Sequence, residues 1–153
     1  MKTNTYSNGV TRFTKGLLDV MFYFGIAATA ALPWFLRWLG RMHPALQHGF
    51  WIFTALFMLS GVGAVLIVYE LRRMFSTVLK NDCFVTQNVV SLRRMGVYGL
   101  AIAVFTLCRL VLVFTPAEVV IFVVFVLAAL FSFVLSHVFA EAVRYKEEND
   151  LTI

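Results

Sequence analysis

Ionisable residues lie in or beside the long apolar segments of this chain, where burying a charge costs several kcal/mol, and such groups are often functional. They are Asp19, Arg37, Arg109, Glu118 and His137. Apart from Arg109 and Glu118, they lie near segment ends, where their side chains reach the interface and a structural role is expected. Arg109 lies about 9 Å before the end of its segment. We predict an intramembrane pair between Arg109 and Glu118, with an ion or substrate site as the alternative.

A second group of charges lies outside the apolar segments. Two arginine pairs occupy a polar interval, residues 70–95, and acidic residues occupy the carboxyl-terminal tail. We expect these charges to form a surface, here called the charged platform, that holds a soluble partner by electrostatic attraction. The charged platform consists of Arg72, Arg73, Arg93, Arg94, Glu147, Glu148 and Asp150.

The polar interval itself has the apolar spacing of an amphipathic helix followed by a returning helix. Its apolar stripe is Leu71, Met74, Phe75, Val78 and Leu79, and its polar face is Arg72, Arg73, Ser76, Thr77 and Lys80. Thr86 is expected to cap the returning helix, with Val85 and Val90 as a hydrophobic staple. The interval therefore predicts a helical hairpin, whose stripe is covered either by the returning helix and the tail or by a partner.

Other chemistry finds little support in the sequence. His43 and His48 lack a third metal ligand nearby, and Cys83 and Cys108 have no disulfide or metal spacing. There is no nucleophile motif, Gly-rich phosphate loop or metalloprotease pattern. We therefore expect no catalytic, cofactor-binding or metal-binding residues, no cofactor, and no enzymatic activity.

The composition is typical of a membrane protein. The chain is 61% hydrophobic and 14% charged, with a mean hydropathy of +0.85, against about 25% charged residues in soluble domains. Its 153 residues suit a single domain, residues 1–153. The net charge of +5 is attributed to cytoplasmic Lys and Arg rather than to direct nucleic-acid binding.

Four apolar segments predict four transmembrane spans near residues 17–39, 50–69, 96–114 and 119–140. Thr115, Pro116 and Glu118 have the pattern of a capping box at the start of the last span. The predicted fold is an all-α integral membrane protein, an up-down-up-down four-helix bundle with a cytoplasmic helical hairpin between helices 2 and 3. Small residues in the first two spans are expected to pack helices closely; they are Ala27, Ala28, Ala30, Ala31, Ser60, Gly61, Gly63 and Ala64.

The distribution of basic residues predicts the orientation. Ten of the thirteen Lys/Arg residues lie in the amino-terminal arm, the polar interval and the tail, whereas Arg37 and Arg41 lie near the first outer connection. By the positive-inside rule, both termini and the hairpin are cytoplasmic.

Three stretches carry a resemblance to a known family. They are Phe84-Val85-Thr86-Gln87-Asn88, Leu92-Arg93-Arg94-Met95-Gly96 and the ending Lys146-Glu147-Glu148-Asn149-Asp150-Leu151-Thr152-Ile153. From the first span to its end, the chain resembles the bacterial membrane family catalogued as domain of unknown function 2975. In the family pattern a Phe is followed by a Thr-capped helix, whereas in this chain Val85 separates Phe84 from Thr86. The resemblance implies a four-span protein of the bacterial inner membrane, often encoded beside a small helix-turn-helix regulator. It assigns no catalytic residues.

Three functions remain open from the sequence. The first is a non-enzymatic regulatory protein in the inner membrane that binds a cytoplasmic partner, such as a small helix-turn-helix regulator, through the hairpin and tail. The second is a small transporter or channel component, which would need homo-oligomers to line a path through the membrane lipid. The third is an immunity-type protein against a membrane-targeting toxin.

Overall fold

The computed structural model describes residues 4–41, 50–78 and 84–150, with side chains described for residues 12–41, 50–78 and 84–149. These residues form four helices: α1 (Asn4–Gly40), α2 (Phe50–Val78), α3 (Thr86–Leu112) and α4 (Pro116–Asp150), with no strand among them. Each helix contains a segment long and apolar enough to cross a membrane. The prediction of an all-helical chain with four such helices is confirmed.

The helices extend beyond the apolar segments. The polar amino-terminal arm is helical from Asn4, and α4 continues through most of the charged tail to Asp150. The 35 residues of α4 span about 52 Å, compared with about 30 Å of hydrocarbon. Part of α4 therefore extends past any bilayer that its apolar segment crosses.

The helices pack mainly against their neighbours in sequence: α1 on α2, α2 on α3, and α3 on α4. Both α2 and α3 lie between two partners, and α3 has the largest buried share among the membrane-length segments. The outer helices α1 and α4 expose many large apolar side chains, as expected for surfaces that face lipid. Therefore α3 is the helix on which the buried polar side chains converge.

Close approach between helices depends on glycines that face a neighbouring helix. A Cβ on Gly99 would lie 3.3 Å from Cβ of Ala129 on α4, and one on Gly61 would lie 2.8 Å from Oγ1 of Thr29 on α1. Such contacts replace the hydrophobic driving force that helices lack in lipid. In α1, Gly25 lies against Val65 of α2, and Thr29 lies against Gly61. The predicted packing role of the α1 alanines is wrong, since all four are exposed; they are Ala27, Ala28, Ala30 and Ala31.

Contacts between consecutive helices run in opposite residue order. Along α1 and α2, Asp19 contacts Arg72 whereas Thr29 faces Gly61. The same reversal relates α2 to α3 and α3 to α4 through Glu70–Ser91, Ser60–Arg109, Gly99–Ala129 and Arg109–Glu118. Residues distant in sequence are thereby placed at the same level along the helices.

The start of α3 differs from the expectation. Val85 is the N-cap residue, with φ −128° and ψ 145°, and no side chain caps the helix. Thr86 is the first helical residue, so the predicted Thr86 cap is wrong by one position. The side chain one turn further, Asn88, is bonded to α2. Pairing between helices thus fixes the position of this turn without a local cap.

The start of α4 agrees with the prediction in its position but not in its side chains. The helix begins at Pro116, and the Glu118 N–H bonds the Thr115 carbonyl oxygen at 3.1 Å. The Glu118 carboxylate bonds Arg109, so the reciprocal side-chain bonds of a capping box do not form between these two described residues. The Glu118 carboxylate pairs with the buried Arg109 instead of capping its own helix, because leaving a buried charge unpaired costs more free energy than losing a cap.

Candidate functional site

Arg109 lies at the centre of a buried charged cluster, and its ion pair with Glu118 is the least exposed among the described residues. Its residue exposure is only 2%. The guanidinium donates from Nη2 to Oε2 of Glu118 at 2.9 Å and from Nε to Oε1 at 3.1 Å. Two parallel bonds of this kind are the strongest arrangement between an arginine and a carboxylate. The structure thus brings together the two residues that the sequence placed across a short turn.

The remaining contacts of Arg109 join further helices to this pair. Its Nη1 donates to the Ser60 hydroxyl at 2.9 Å, and its Nη2 donates to the Thr106 hydroxyl at 3.3 Å. Its Cζ lies 4.1 Å from the centroid of the Phe57 ring, within the range of a cation–π interaction. The cluster therefore ties α2, α3 and α4 together, and its hydrogen bonds engage all three guanidinium nitrogens.

A second buried cluster, which sequence reasoning missed, is centred on Glu70. Glu70 is 2% exposed. Its Oε2 accepts a hydrogen bond from the Ser91 hydroxyl at 2.7 Å, and its Oε1 accepts from Nη1 of Arg94 at 3.3 Å. The Arg94 side chain is half exposed. Ser91 is therefore the buried donor that holds this carboxylate, and the contact joins α2 to α3.

Thr77 and Asn88 form the next contact along the same pair of helices. Asn88 is 1% exposed, and its Nδ2 donates to Oγ1 of Thr77 at 2.8 Å. Thr77, which the sequence assigned to the polar face of the hairpin, therefore faces α3. One signal was available in the sequence, since Glu70 and Thr77 are seven residues apart and so share a helix face.

Asp19 and Arg72 form a third polar contact, between α1 and α2. Nε of Arg72 lies 2.6 Å from Oδ1 of Asp19, and its Cζ lies 4.6 Å from the centroid of the Phe22 ring. Both side chains are partly exposed. Arg72 is thus paired within the chain, although the sequence placed it in the charged platform.

The other residues of the charged platform differ in their exposure and in whether they form ion pairs. Arg73 and Arg93 are exposed, and neither forms an ion pair within the described residues. Glu147 is exposed, whereas Glu148 lies 3.6 Å from Nε of Arg144 on its own helix. The side chain of Asp150 lies outside the described residues. Arg73 and Arg93 are therefore the platform cations most available to a partner.

The apolar stripe of the hairpin is not bare where the structure describes it. Leu71, Met74, Phe75 and Val78 are half-buried, whereas Leu79 lies outside the described residues. Leu92 on α3 is buried. The ring of Phe84, just before α3, has its centroid 5.6 Å from that of the Phe139 ring on α4. Phe84 thus packs against α4, and the four described stripe residues are partly covered within the chain.

The remaining sequence candidates contribute no described site. His43, His48 and Cys83 lie outside the described residues. Within those residues no group of three or more His, Cys, Asp or Glu side chains is placed to hold a metal. Cys108, Arg37 and His137 are exposed.

Replacing Ser91 with alanine tests whether the Glu70 cluster stabilises the fold. Ser91→Ala removes the buried donor, so the free energy of unfolding in detergent should fall by about 1–3 kcal/mol. In a Glu70→Leu background the same change should cost much less, because no carboxylate remains to be satisfied. The control is Ser76→Ala, whose exposed hydroxyl bonds only its own helix. Equal losses for Ser91→Ala in both backgrounds would contradict the assignment.

Comparison with known protein families matches residues 34–153 to the family described as protein of unknown function (DUF2975). The match begins inside α1 and includes all of α2, α3 and α4. It is narrower than the resemblance in the sequence, because most of the first span precedes it. Comparisons with curated proteins and with solved structures gave no match. Because the matched residues make up most of the sequence, the chain belongs to the DUF2975 family.

Proposed function

We propose that this protein is a non-enzymatic regulatory protein of the bacterial inner membrane that holds a cytoplasmic protein at the end formed by α2, α3 and the last turns of α4. Residues 1–153 form one four-span domain in this proposal, with an up-down-up-down arrangement and both termini in the cytoplasm. The spans are those predicted near residues 17–39, 50–69, 96–114 and 119–140.

The order of helix contacts and the positions of the tryptophans support this topology. Consecutive helices contact one another in opposite residue order, as an up-down arrangement requires. Trp34, Trp38 and Trp51 are exposed and lie near the α1–α2 connection, as expected for an aromatic belt at one membrane interface. About 30 Å along α2 from Trp51 lies Arg72, at the level of the other interface. The part of the hairpin beyond Arg72 then lies on the cytoplasmic side.

Reporter fusions test this orientation. A cytoplasm-active reporter fused after Ile153 or before Met1 should be active, and one inserted in the α1–α2 connection should be inactive. A periplasm-active reporter at the same three positions should give the reverse pattern. Activity of the periplasmic reporter at either terminus would contradict the topology.

The observation that carries the functional proposal is the exposure of Arg73 and Arg93 on helices that are held together. The Glu70–Ser91 and Thr77–Asn88 bonds fasten α2 to α3 beyond the apolar spans. A cationic surface on a pre-organised pair of helices loses little conformational freedom when a partner binds. A soluble protein with an acidic patch fits this surface, and Glu147 on α4 adds a site for a basic residue of that partner.

The partner class rests on the family resemblance and on charge. A small helix-turn-helix regulator is the candidate that the resemblance implies. It would bind through an acidic surface away from its DNA-binding face, since that face is itself basic. Arg72, Arg94 and Glu148 are left out of the binding set because they are paired within the chain.

Reversing the two exposed charges tests the proposal. Arg73→Glu with Arg93→Glu should reduce recovery of the soluble partner from detergent-solubilised membranes by about tenfold, and recovery by the native chain should fall as salt rises. The matched control is Arg37→Glu with Arg41→Glu, which makes the same charge change at the other end of the protein. The proposal fails if partner recovery and protein abundance both remain at the native level in the Arg73/Arg93 variant.

The described residues favour neither alternative function. A transport path needs an available polar group at depth, but Arg109 is bonded to Glu118, Ser60 and Thr106. No observation points to recognition of a toxin. We therefore propose neither transport nor immunity.

A further inference from the structure

Two arginines near the end of α1 have no counter-ion among the residues that the structure describes. Arg37 and Arg41 lie one helical turn apart, both exposed and without an ion pair among the described residues. The sequence has no Asp or Glu between Asp19 and Glu70, so the α1–α2 connection supplies none. Among the described residues at this end of the protein, the acidic residue is Glu118, and its carboxylate is already bonded to Arg109. Within the described residues, therefore, no carboxylate is left to neutralise this pair, and an anion from outside the chain can bind it.

The surroundings of these arginines are those of a membrane interface. All three tryptophans of the chain lie at this end, with exposures of 82% for Trp34, 54% for Trp38 and 74% for Trp51. Exposed tryptophans occupy the headgroup level of bilayers. Arg37 and Arg41 are therefore placed where lipid phosphates lie.

The cavities at this end join a cationic opening to an apolar groove. One cavity of about 340 Å³ lies between α1 and α2, against Arg37, Trp34, Trp51 and Ala30. A neighbouring cavity of about 600 Å³ is lined by Arg37, Arg41, Trp34 and Trp38. Ala30 also lines a third cavity, of about 310 Å³, which continues along the α1–α2 contact. That cavity is otherwise walled by Ile26, Thr29, Met58, Val62, Val65 and Leu66.

We propose that this end of the protein binds an anionic phospholipid, with its phosphate held by Arg37 and Arg41 and one acyl chain lying in the α1–α2 groove past Ala30. Guanidinium groups recognise phosphate through paired hydrogen bonds. The small side chain of Ala30 leaves space where a larger residue would close the groove. The exposed alanine therefore has a role that helix packing does not give it.

The alternative explanation is that Arg37 and Arg41 are exposed to water and bind no lipid, since cations near the carboxyl end of a helix interact favourably with its dipole. That arrangement requires neither an anionic lipid nor an open groove. Lipid recognition makes binding depend on headgroup charge, on both arginines and on the size of residue 30. These three dependences separate the two explanations.

Lipid binding to the full chain in mild detergent, followed by native mass spectrometry, tests the proposal. Phosphatidylglycerol should bind about tenfold more tightly than phosphatidylcholine of the same acyl length, and Arg37→Gln with Arg41→Gln should remove that preference. The matched control is Arg12→Gln with Lys15→Gln, which removes the same charge from exposed positions at the opposite end of α1 and should leave the preference unchanged.

A second variant tests the groove with the charges intact. Ala30→Phe should weaken phosphatidylglycerol binding by about tenfold, since the new ring fills the space for the acyl chain. Ala27→Phe, at an exposed position outside these cavities, should have little effect. If Ala30→Phe loses the thermal unfolding transition, Ala30→Leu is measured in its place because the leucine side chain is smaller.

Several outcomes would overturn the lipid site. One is equal binding of the two lipids by the native chain, and another is equal losses for the Arg37/Arg41 and Arg12/Lys15 variants. If inorganic phosphate binds with the same dependence on Arg37 and Arg41, and Ala30→Phe has no effect on lipid, the site takes free anions and the proposal is wrong. Because soluble-partner recovery is a separate readout, failure here leaves the proposed function untouched.

Discussion

The cost of a charge in hydrocarbon is the constraint on which the arrangement of α2, α3 and α4 depends. Arg109 is buried, and a buried arginine without a partner is strongly destabilising. Glu118 neutralises it, while Ser60 and Thr106 accept further hydrogen bonds. These partners come from all three helices, so satisfying one guanidinium fixes their positions relative to one another. The Glu118 carboxylate gives up a local capping bond to make this possible.

Polar contacts at the two ends of the helices set the register, and small residues set the distance between them. Helices in lipid gain little from burying apolar surface, so hydrogen bonds and close packing decide how they pair. The Arg109 cluster lies at one end of α3, whereas Ser91 and Asn88 bond α2 at the other. Between them, Gly99 lies against Ala129. The contacts that set the register therefore also fasten α2 to α3 at the base of the hairpin.

The sequence predicted those features that depend on local spacing. The four helices followed from long apolar runs, and the nearness of Arg109 to Glu118 followed from the short turn between their helices. Glu70 was missed because its donor, Ser91, becomes a neighbour only once the register of α2 against α3 is known. The Thr86 cap was misplaced for a related reason, since the Asn88–Thr77 bond between helices sets that turn. The charged platform included Arg72 because its ion-pair partner, Asp19, lies far from it in the sequence.

A double-mutant cycle on Arg109 and Glu118 tests the central claim most directly. The free energy of unfolding would be measured in detergent for Arg109→Leu, Glu118→Ala and the double variant. If the pair holds the helices together, each single change costs about 3–5 kcal/mol, and the double variant loses much less than the sum because neither charge is left unpaired. Losses that add to within about 0.5 kcal/mol would contradict the account, since additivity means that the two residues do not interact.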